Sequence, residues 1–360
     1  MRVLCITSFS DRPETETFIG LSQTGVDIEV MCPSSAPFIR YLKKSGIKVI
    51  DFSPKNRIDL GAVRTIRERI RQKQIDILHG FNNRAVSNSI MASLGLPVKL
   101  VAYRGITGND SFLNPGSWLT YLHPKVDRVV CVAEAVRQHF LQMRFFGLRL
   151  NPRKFVTIYK GHNLKWYVAT PGSLSQFGIR KDAFVVGCIA NFRPRKGIHV
   201  LIDAMRYLTQ ASSIHLLLVG HMDSSRLKSQ IRQSPLKDRI HLTGFRDDAP
   251  ALMASCDAFV LPALRREGLP KGVIEAMAYG IPPIVTDSGG SPELIKHNKS
   301  GLIVPSGNAE AIARAIGYLY ENPRLSEKMG VNARERIRTK FRIEDTIKKT
   351  YALYNELIIK

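Results

Sequence analysis

The chain predicts an α/β fold built from two doubly wound parallel sheets, and three observations lead there. Its 360 residues exceed the usual span of one domain, so two domains of roughly 150–200 residues are expected. Short apolar runs alternate with helix-like stretches along most of the chain, the pattern of parallel strands joined by crossover helices. Hydrophobic residues make up 44% of the sequence, enough to fill an ordinary core in each half.

In the first half the runs RVLCITS, VDIEVMC, GIKVIDF, IDILHGF, VKLVAYRG and DRVVCVAE read as buried parallel strands. Between them, Leu60 to Lys73 spaces Leu60, Val63, Ile66 and Ile70 as one helical face opposite a dense basic one. The segment from Lys154 to Tyr167, KFVTIYKGHNLKWY, leads into TPGSLSQFGIRKD, whose Gly, Ser and Pro content is that of a linker. The second half begins with the strand AFVVGCIAN and repeats the alternation down to Ser306. Three helical patterns then close the chain: Ala309 to Tyr320, Pro323 to Lys340, and Ile343 to Ile359.

The five cysteines stand singly inside apolar runs, without paired metal-ligand spacing, and read as buried free thiols of a reducing compartment. After Met1 the chain enters a strand pattern directly, and no apolar run reaches the length that spans a bilayer. A cytoplasmic protein is expected. The net charge of +23 calls for a polyanionic partner or surface. Residues 1–160 carry 24 Lys or Arg and 12 Asp or Glu, so the excess is shared by both halves and belongs to folded surface rather than to a tail. Charge alone would suit a nucleic-acid-binding protein, but no recognisable binding module accompanies it, and no nucleic-acid partner is expected.

The most informative stretch is RREGLPKGVIEAMAYG, Arg265 to Gly280, which places Glu267 and Glu275 on either side of a loop that enters a helix. Val273, Ile274, Ala276, Met277 and Ala278 seat that helix, while its first turn leaves N–H groups unpaired and attractive to anions. Pro270 fits an early helical position, and Gly268 and Gly272 admit close approach of a ligand to the backbone. A carboxylate at each end of a phosphate-friendly turn suits a sugar nucleotide: one for sugar hydroxyls, one for ribose hydroxyls, with the turn Gly268, Leu269, Pro270 and Lys271 between them and its available backbone N–H groups facing the diphosphate. Strand-like runs directly before (Cys256 to Ala263) and after (Gly280 to Asp287) put this loop at the carboxyl edge of a parallel sheet, where open α/β folds bind ligands.

These blocks, with VVGCIANFRPRKGIHVLIDAM (Val185 to Met205), HLLLVGHMDSSRL (His215 to Leu227), IHLTGF (Ile240 to Phe245), DSGGSPELI (Asp287 to Ile295) and SGLIVPSGNAEAIARAI (Ser300 to Ile316), resemble in order and spacing glycosyltransferase family 4, retaining enzymes of the GT-B fold. The resemblance implies two Rossmann-like domains facing across a cleft. Residues 1–165 would bind the acceptor, residues 166–340 the nucleotide sugar, and 341–360 would form a helix crossing back to the first domain.

The same resemblance implies roles. In NFRPRKG, Asn191 to Gly197, Lys196 matches the family's phosphate-binding lysine. Many relatives carry an arginine where this chain has Asn191, so Arg195 or Arg193 supplies the second positive charge. Glu267 would position sugar hydroxyls, Glu275 the ribose, and Gly244 with Phe245 the nucleotide base. Gly289 and Gly290 stand before Ser291, a capping residue followed by Pro292 that would start another helix; their glycines read equally as turn formers. On the acceptor side Arg104 stands where relatives often have histidine, implying either an anionic acceptor or a structural arginine, and His79 ends a neighbouring strand as either an acceptor contact or a packed residue. Neither a metal nor any other cofactor is expected.

The stretch Ala135 to Lys154 interleaves Phe140, Leu141, Phe145, Phe146 and Leu148 with Arg137, Arg144, Arg149, Arg153 and Lys154. As one helix it would suit an anionic membrane surface, or equally a core helix with a solvated face. The expected activity is transfer of a sugar from a nucleoside diphosphate to a lipid-linked or cell-envelope glycan acceptor, as in polysaccharide or lipopolysaccharide synthesis. A sugar-nucleotide epimerase and a non-catalytic glycan-binding protein are the alternatives on the same scaffold.

Overall fold

A computed structural model describes residues 1–209, 213–222 and 224–359. Asp223, in the block read from His215 to Leu227, and Lys360, in the segment 341–360, lie outside the described residues. The chain divides into two compact units, Met1–His162 with Phe341–Lys360, and Asn163–Lys340.

The first unit holds seven parallel strands: β1 (Arg2–Ile6), β2 (Asp27–Cys32), β3 (Lys48–Asp51), β4 (Ile77–Gly80), β5 (Lys99–Arg104), β6 (Arg128–Cys131) and β7 (Phe155–Thr157). They lie in the order β3-β2-β1-β4-β5-β6-β7, so the winding reverses between β1 and β4. Helices α1 (Arg12–Gln23), α2 (Ile39–Lys44), α3 (Leu60–Lys73), α4 (Asn83–Ser93), α5 (Pro115–Trp118) and α6 (Glu134–Leu141) lie between the strands. The longer ones start where sequence provides a cap: Asp11, Asp59 and Asn82 accept from the backbone N–H of Glu14, Ala62 and Ala85.

The single helix expected over Ala135 to Lys154 does not form. Helix α6 ends at Leu141, Phe146 and Gly147 take positive φ of 45° and 80°, and Phe145 bridges antiparallel to Leu148. Gly147 tolerates that turn and Pro152 opens a short 3-10 turn of its own, so the apolar and basic residues beyond Leu141 belong to a loop.

The second unit holds six parallel strands, β8 (Phe184–Ile189), β9 (Ile214–Val219), β10 (Ile240–Gly244), β11 (Ala258–Leu261), β12 (Pro283–Thr286) and β13 (Leu302–Val304), in the order β10-β9-β8-β11-β12-β13. Helices α7 (Ile198–Met205), α8 (Ser225–Arg232), α9 (Ala249–Ala254), α10 (Lys271–Ala278), α11 (Ser291–Leu294), α12 (Ala309–Glu321) and α13 (Pro323–Lys340) complete it. Val186, Leu216, Leu218 and Val260 from the strands meet Ile198, Leu201, Ile312 and Ile316 from α7 and α12 in its core. Two local expectations change: Gly290, not Ser291, occupies the cap of the one-turn α11, and Pro270 is the residue before α10 rather than inside it.

The last helix, α14 (Ile343–Ile359), belongs to the first unit and packs on α1. It delivers Leu353, Tyr354 and Leu357 to the core that holds Val3, Phe18 and Leu21. The fit is close: a Cβ on Gly161 would stand 2.1 Å from the Arg342 carbonyl oxygen. Thr346 Oγ1 donates to the Tyr159 carbonyl at 2.7 Å and accepts from the Gly161 N–H at 2.8 Å. Among the described residues no helix is long and apolar enough to cross a membrane.

Candidate active site

In the second unit the winding reverses between β8 and β11, which pair directly, Ala258 with Val186 and Phe259 with Gly187. The loops leaving their carboxyl ends carry the Asn191 to Gly197 and Glu267 motifs, at the switch point where doubly wound sheets bind ligands. Helices α7 and α10 both begin just after these loops. Neither has a side-chain cap, and the Val200 and Val273 N–H groups turn back to the Gly197 and Pro270 carbonyls, so the positive dipole end of each helix rests on the N–H groups of its first two residues.

The two loops interlock through backbone. The Leu264 N–H donates to the Arg195 carbonyl at 2.8 Å. Gly197 has φ of 67°, and a Cβ there would stand 1.9 Å from the Pro262 carbonyl oxygen, so only glycine admits this approach. Glu267 is 3% exposed. Lys196 Nζ stands 2.9 Å from its Oε1 and donates to its Oε2 at 3.1 Å. Arg195 Nη1 lies 3.6 Å from Glu267 Oε1 and donates to the Arg266 carbonyl at 3.0 Å. The Lys196 contact to Oε1 is a charge contact rather than a directed hydrogen bond, because Oε1 has no partner of hydrogen-bond geometry. Buried acceptor capacity therefore remains on this carboxylate. Of the two candidate arginines, Arg195 joins the cluster and Arg193 is exposed.

Arg266 takes φ of 63°, a left-handed conformation that is strained for a side chain of this size and common where a loop aims a functional residue. The glycine pair supports the same loop. A Cβ on Gly289 would meet the Glu267 carbonyl oxygen at 2.2 Å, and the Gly290 N–H donates to that oxygen at 3.3 Å. Gly272 lets α10 lie close over the sheet, its Cβ position 3.3 Å from the Ile189 carbonyl. Beyond Glu267 the chain passes Gly268, Leu269 and Pro270 into α10, where Glu275 pairs with Lys271 at 3.1 Å rather than with Lys196 or Arg195.

A second group forms at the ends of β8, β9 and β10. The His221 N–H donates to Asn191 Oδ1 at 3.2 Å, and the His221 ring stacks on Phe245, centroids 5.1 Å apart and 13° from parallel. Phe245, after Gly244, is 62% exposed and presents a flat apolar face. Sequence reasoning missed His221, Arg266, Gly197 and the contact made by Gly289. The ring pair is tertiary, but the glycine after each strand was a visible signal.

The remaining two candidates lie in the first unit. Arg104 is buried, bonded through Nη2 to Asp110 at 2.5 Å, with its guanidinium 4.8 Å over the Tyr121 ring. Its charge is neutralised inside the fold. His79 is 3% exposed, its Nδ1 2.6 Å from the Tyr354 hydroxyl, and burial lowers its pKa to about 3, so it is neutral near pH 7. It lines a small cavity with Glu14, Tyr103 and Lys160. Lys160 Nζ lies 2.8 Å from Asp11 and 3.7 Å from Glu14. Burial pushes Glu14 up to about 6 against the pull of Lys160. For Asp11 burial is outweighed by Lys160 and the Glu14 N–H, which hold its pKa low. No group of three His, Cys, Asp or Glu among the described residues is placed to hold a metal ion.

Two family models match the chain, one in each unit: Glycosyltransferase Family 4 over residues 16–166 and Glycosyl transferases group 1 over residues 173–336. The UDP-Gal:alpha-D-GlcNAc-diphosphoundecaprenol alpha-1,3-galactosyltransferase of Escherichia coli is 23% identical over 382 residues, spanning 100% of this chain and 96% of that protein. Among solved structures, a glycosyltransferase from Rickettsia africae superposes with a TM-score of 0.82 at 20% identity, covering 99% of this chain and 98% of that one. Anabaena HepE in complex with UDP gives 0.78 at 21% identity, covering 99% and 100%. With two Rossmann-like domains of the GT-B fold, this chain belongs to glycosyltransferase family 4 and is a glycosyltransferase.

Proposed function

We propose that the enzyme is a retaining glycosyltransferase that moves a sugar from a uridine diphosphate donor to a hydroxyl of a lipid-linked or cell-envelope glycan. The observation that carries this reading is the Arg195–Lys196–Glu267 cluster, set beside two uncapped helix starts at the switch point of the second unit. Such a place favours a diphosphate. The nucleotide and acceptor are supported by the relatives: the Escherichia coli enzyme is named for UDP-Gal and a diphosphoundecaprenol-linked sugar, and Anabaena HepE is solved with UDP-glucose.

In this mechanism the bond from the sugar's anomeric carbon to the β-phosphate oxygen breaks, and its electron pair stays on the phosphate. Positive charge develops on the ring. Lys196 and Arg195 stabilise the growing phosphate charge, together with the amides of the Gly268–Lys271 turn. The acceptor hydroxyl attacks on the face the phosphate leaves, and its proton passes to the departing phosphate oxygen. Configuration is retained without a protein nucleophile. Glu267 holds Lys196 in place and uses its remaining acceptor capacity for sugar hydroxyls, Glu275 takes the ribose hydroxyls, and the base lies near Gly244, Asn191 and the His221–Phe245 ring pair.

Calorimetric titration of the wild type, Lys196→Ala and Glu275→Ala with UDP-glucose, UDP-galactose and GDP-mannose tests the site. Binding of a uridine diphosphate sugar that both variants weaken at least about tenfold is expected. Unchanged binding in both overturns the assignment. Proton NMR of the product, read at the anomeric position, tests retention: an inverted anomer would end that part of the proposal.

A further inference from the structure

We propose that three loops of the first unit form a docking wedge for a bilayer surface rich in anionic headgroups. The turn that replaces the expected helix carries Phe146, 93% exposed, at its tip. It does not stand alone. Phe145 lies 4.7 Å from the Phe146 ring and 6.2 Å from Phe112, which is 6.2 Å from Trp118. Trp118 is fixed by its indole N–H, which donates to the Phe112 carbonyl at 2.8 Å. The loop between β3 and α3 closes the group, because a Cβ on Gly116 would stand 2.4 Å from Arg57 Nη1. Exposed Leu113, Leu148 and Ile58 extend the apolar face across all three segments.

A patch of this kind on a soluble surface marks an interaction site, and its charge names the partner. Lys55, Arg57, Arg144, Arg149 and Arg153 are exposed on these same loops. Within residues 52–58, 106–119 and 142–154 the single acidic side chain is Asp110, which is consumed by its buried pair with Arg104. Apolar tips inside a basic rim free of exposed acid match an anionic interface, where rings and leucines enter the acyl boundary and guanidinium groups stay with the headgroups. A second copy of the chain would bring two basic rims together. A nucleic acid would gain little from Leu113, Ile58 and Leu148, which offer no stacking face.

The test uses the full chain with Trp166→Phe, leaving Trp118 as the one tryptophan, and phosphatidylcholine vesicles with or without phosphatidylglycerol, their acyl chains brominated. Neither donor nor acceptor is present, so the outcome is independent of the proposed reaction. Expected are co-sedimentation with the phosphatidylglycerol vesicles only, loss of it on adding salt, and quenching of Trp118 by the brominated chains. Leu113→Ser with Phe146→Ser should weaken partitioning on the order of tenfold or more, and Arg144→Glu with Arg149→Glu by a similar factor, both pairs melting as the parent does. Equal binding to vesicles without phosphatidylglycerol, binding that Leu113→Ser with Phe146→Ser leaves intact, or binding without Trp118 quenching would overturn the proposal. So would Trp118 becoming shielded by self-association, or a nucleic acid outcompeting the vesicles.

Discussion

Each unit places a lysine against carboxylate beside the reversal point of its sheet, one group in the second unit and two in the first, yet the two clusters are built to different ends. In the second unit Lys196 and Arg195 reach Glu267 from loops that lie ahead of two helix starts, and the carboxylate keeps an unused acceptor. In the first unit Lys160 is held by Asp11 and Glu14, and α14 covers the neighbouring cavity with Thr346, Thr350 and Tyr354. One topology therefore carries the proposed donor site where its loops lead into two uncapped helix starts, and a structural joint where α14 covers it. Local charge does not distinguish the two, but what packs over the charge does.

Removing the lysine of each cluster is the strongest way to break this comparison. Lys160→Met should destabilise the fold by about 3 kcal/mol or more, since the buried Glu14 and the half-buried Asp11 lose their counter-charge; chemical denaturation reads this, and an unchanged midpoint would refute the structural role. Lys196→Ala should instead cost about 10²–10³-fold in turnover, equivalent to roughly 3–4 kcal/mol of transition-state stabilisation, with a smaller change in melting than Lys160→Met. Gly289→Ala sharpens the contrast, because its methyl group meets the Glu267 carbonyl at positive φ. A loss of about 1–3 kcal/mol of stability should come with a fall in turnover, since the displaced backbone carries the site.

The smallest expected effect is on pH dependence. Glu14 has its pKa raised to about 6 from 4.5, so between those values the folded chain holds a proton that the unfolded chain has released. Stability from this group is full below about 4.5 and is lost as pH rises through about 6, by something on the order of 1–2 kcal/mol. His79, held near 3, acts oppositely: its contribution is present above its ordinary value of 6.5 and is lost as pH falls toward 3. Glu14→Gln should therefore remove the falling component and leave stability rising more steeply from pH 4.5 to 6, measured as melting temperature against pH. An unaltered profile would show that Glu14 titrates normally.

Much of this was legible in the chain. The strands announced themselves as apolar runs, and Glu267 stood out in the loop between two of them, whereas Lys196 was singled out by the family resemblance of its motif and not by its spacing. Other features depended on tertiary partners that periodicity does not carry. For Arg104 the sequence left an anionic acceptor and a structural role equally open, and its bond to Asp110, six residues on, decides for the structural one; His221 had no signal before its ring met Phe245. The stretch after α6 misled for a different reason. Its apolar and basic residues keep a helical rhythm, but Gly147 and Pro152 outweigh that rhythm locally, and the outcome is a projecting turn.

The membership of α14 in the first unit orders the birth of the molecule. Residues 163–340 form one uninterrupted stretch, so every residue of the second unit is made before α14 and none of its packing waits for that helix. The first unit, although its residues 1–162 are translated earliest, must wait with the groove for Leu353, Tyr354 and Leu357 unfilled until α14 has emerged. A chain cut short before α14 would leave that early-made half incomplete, and the later-made half whole.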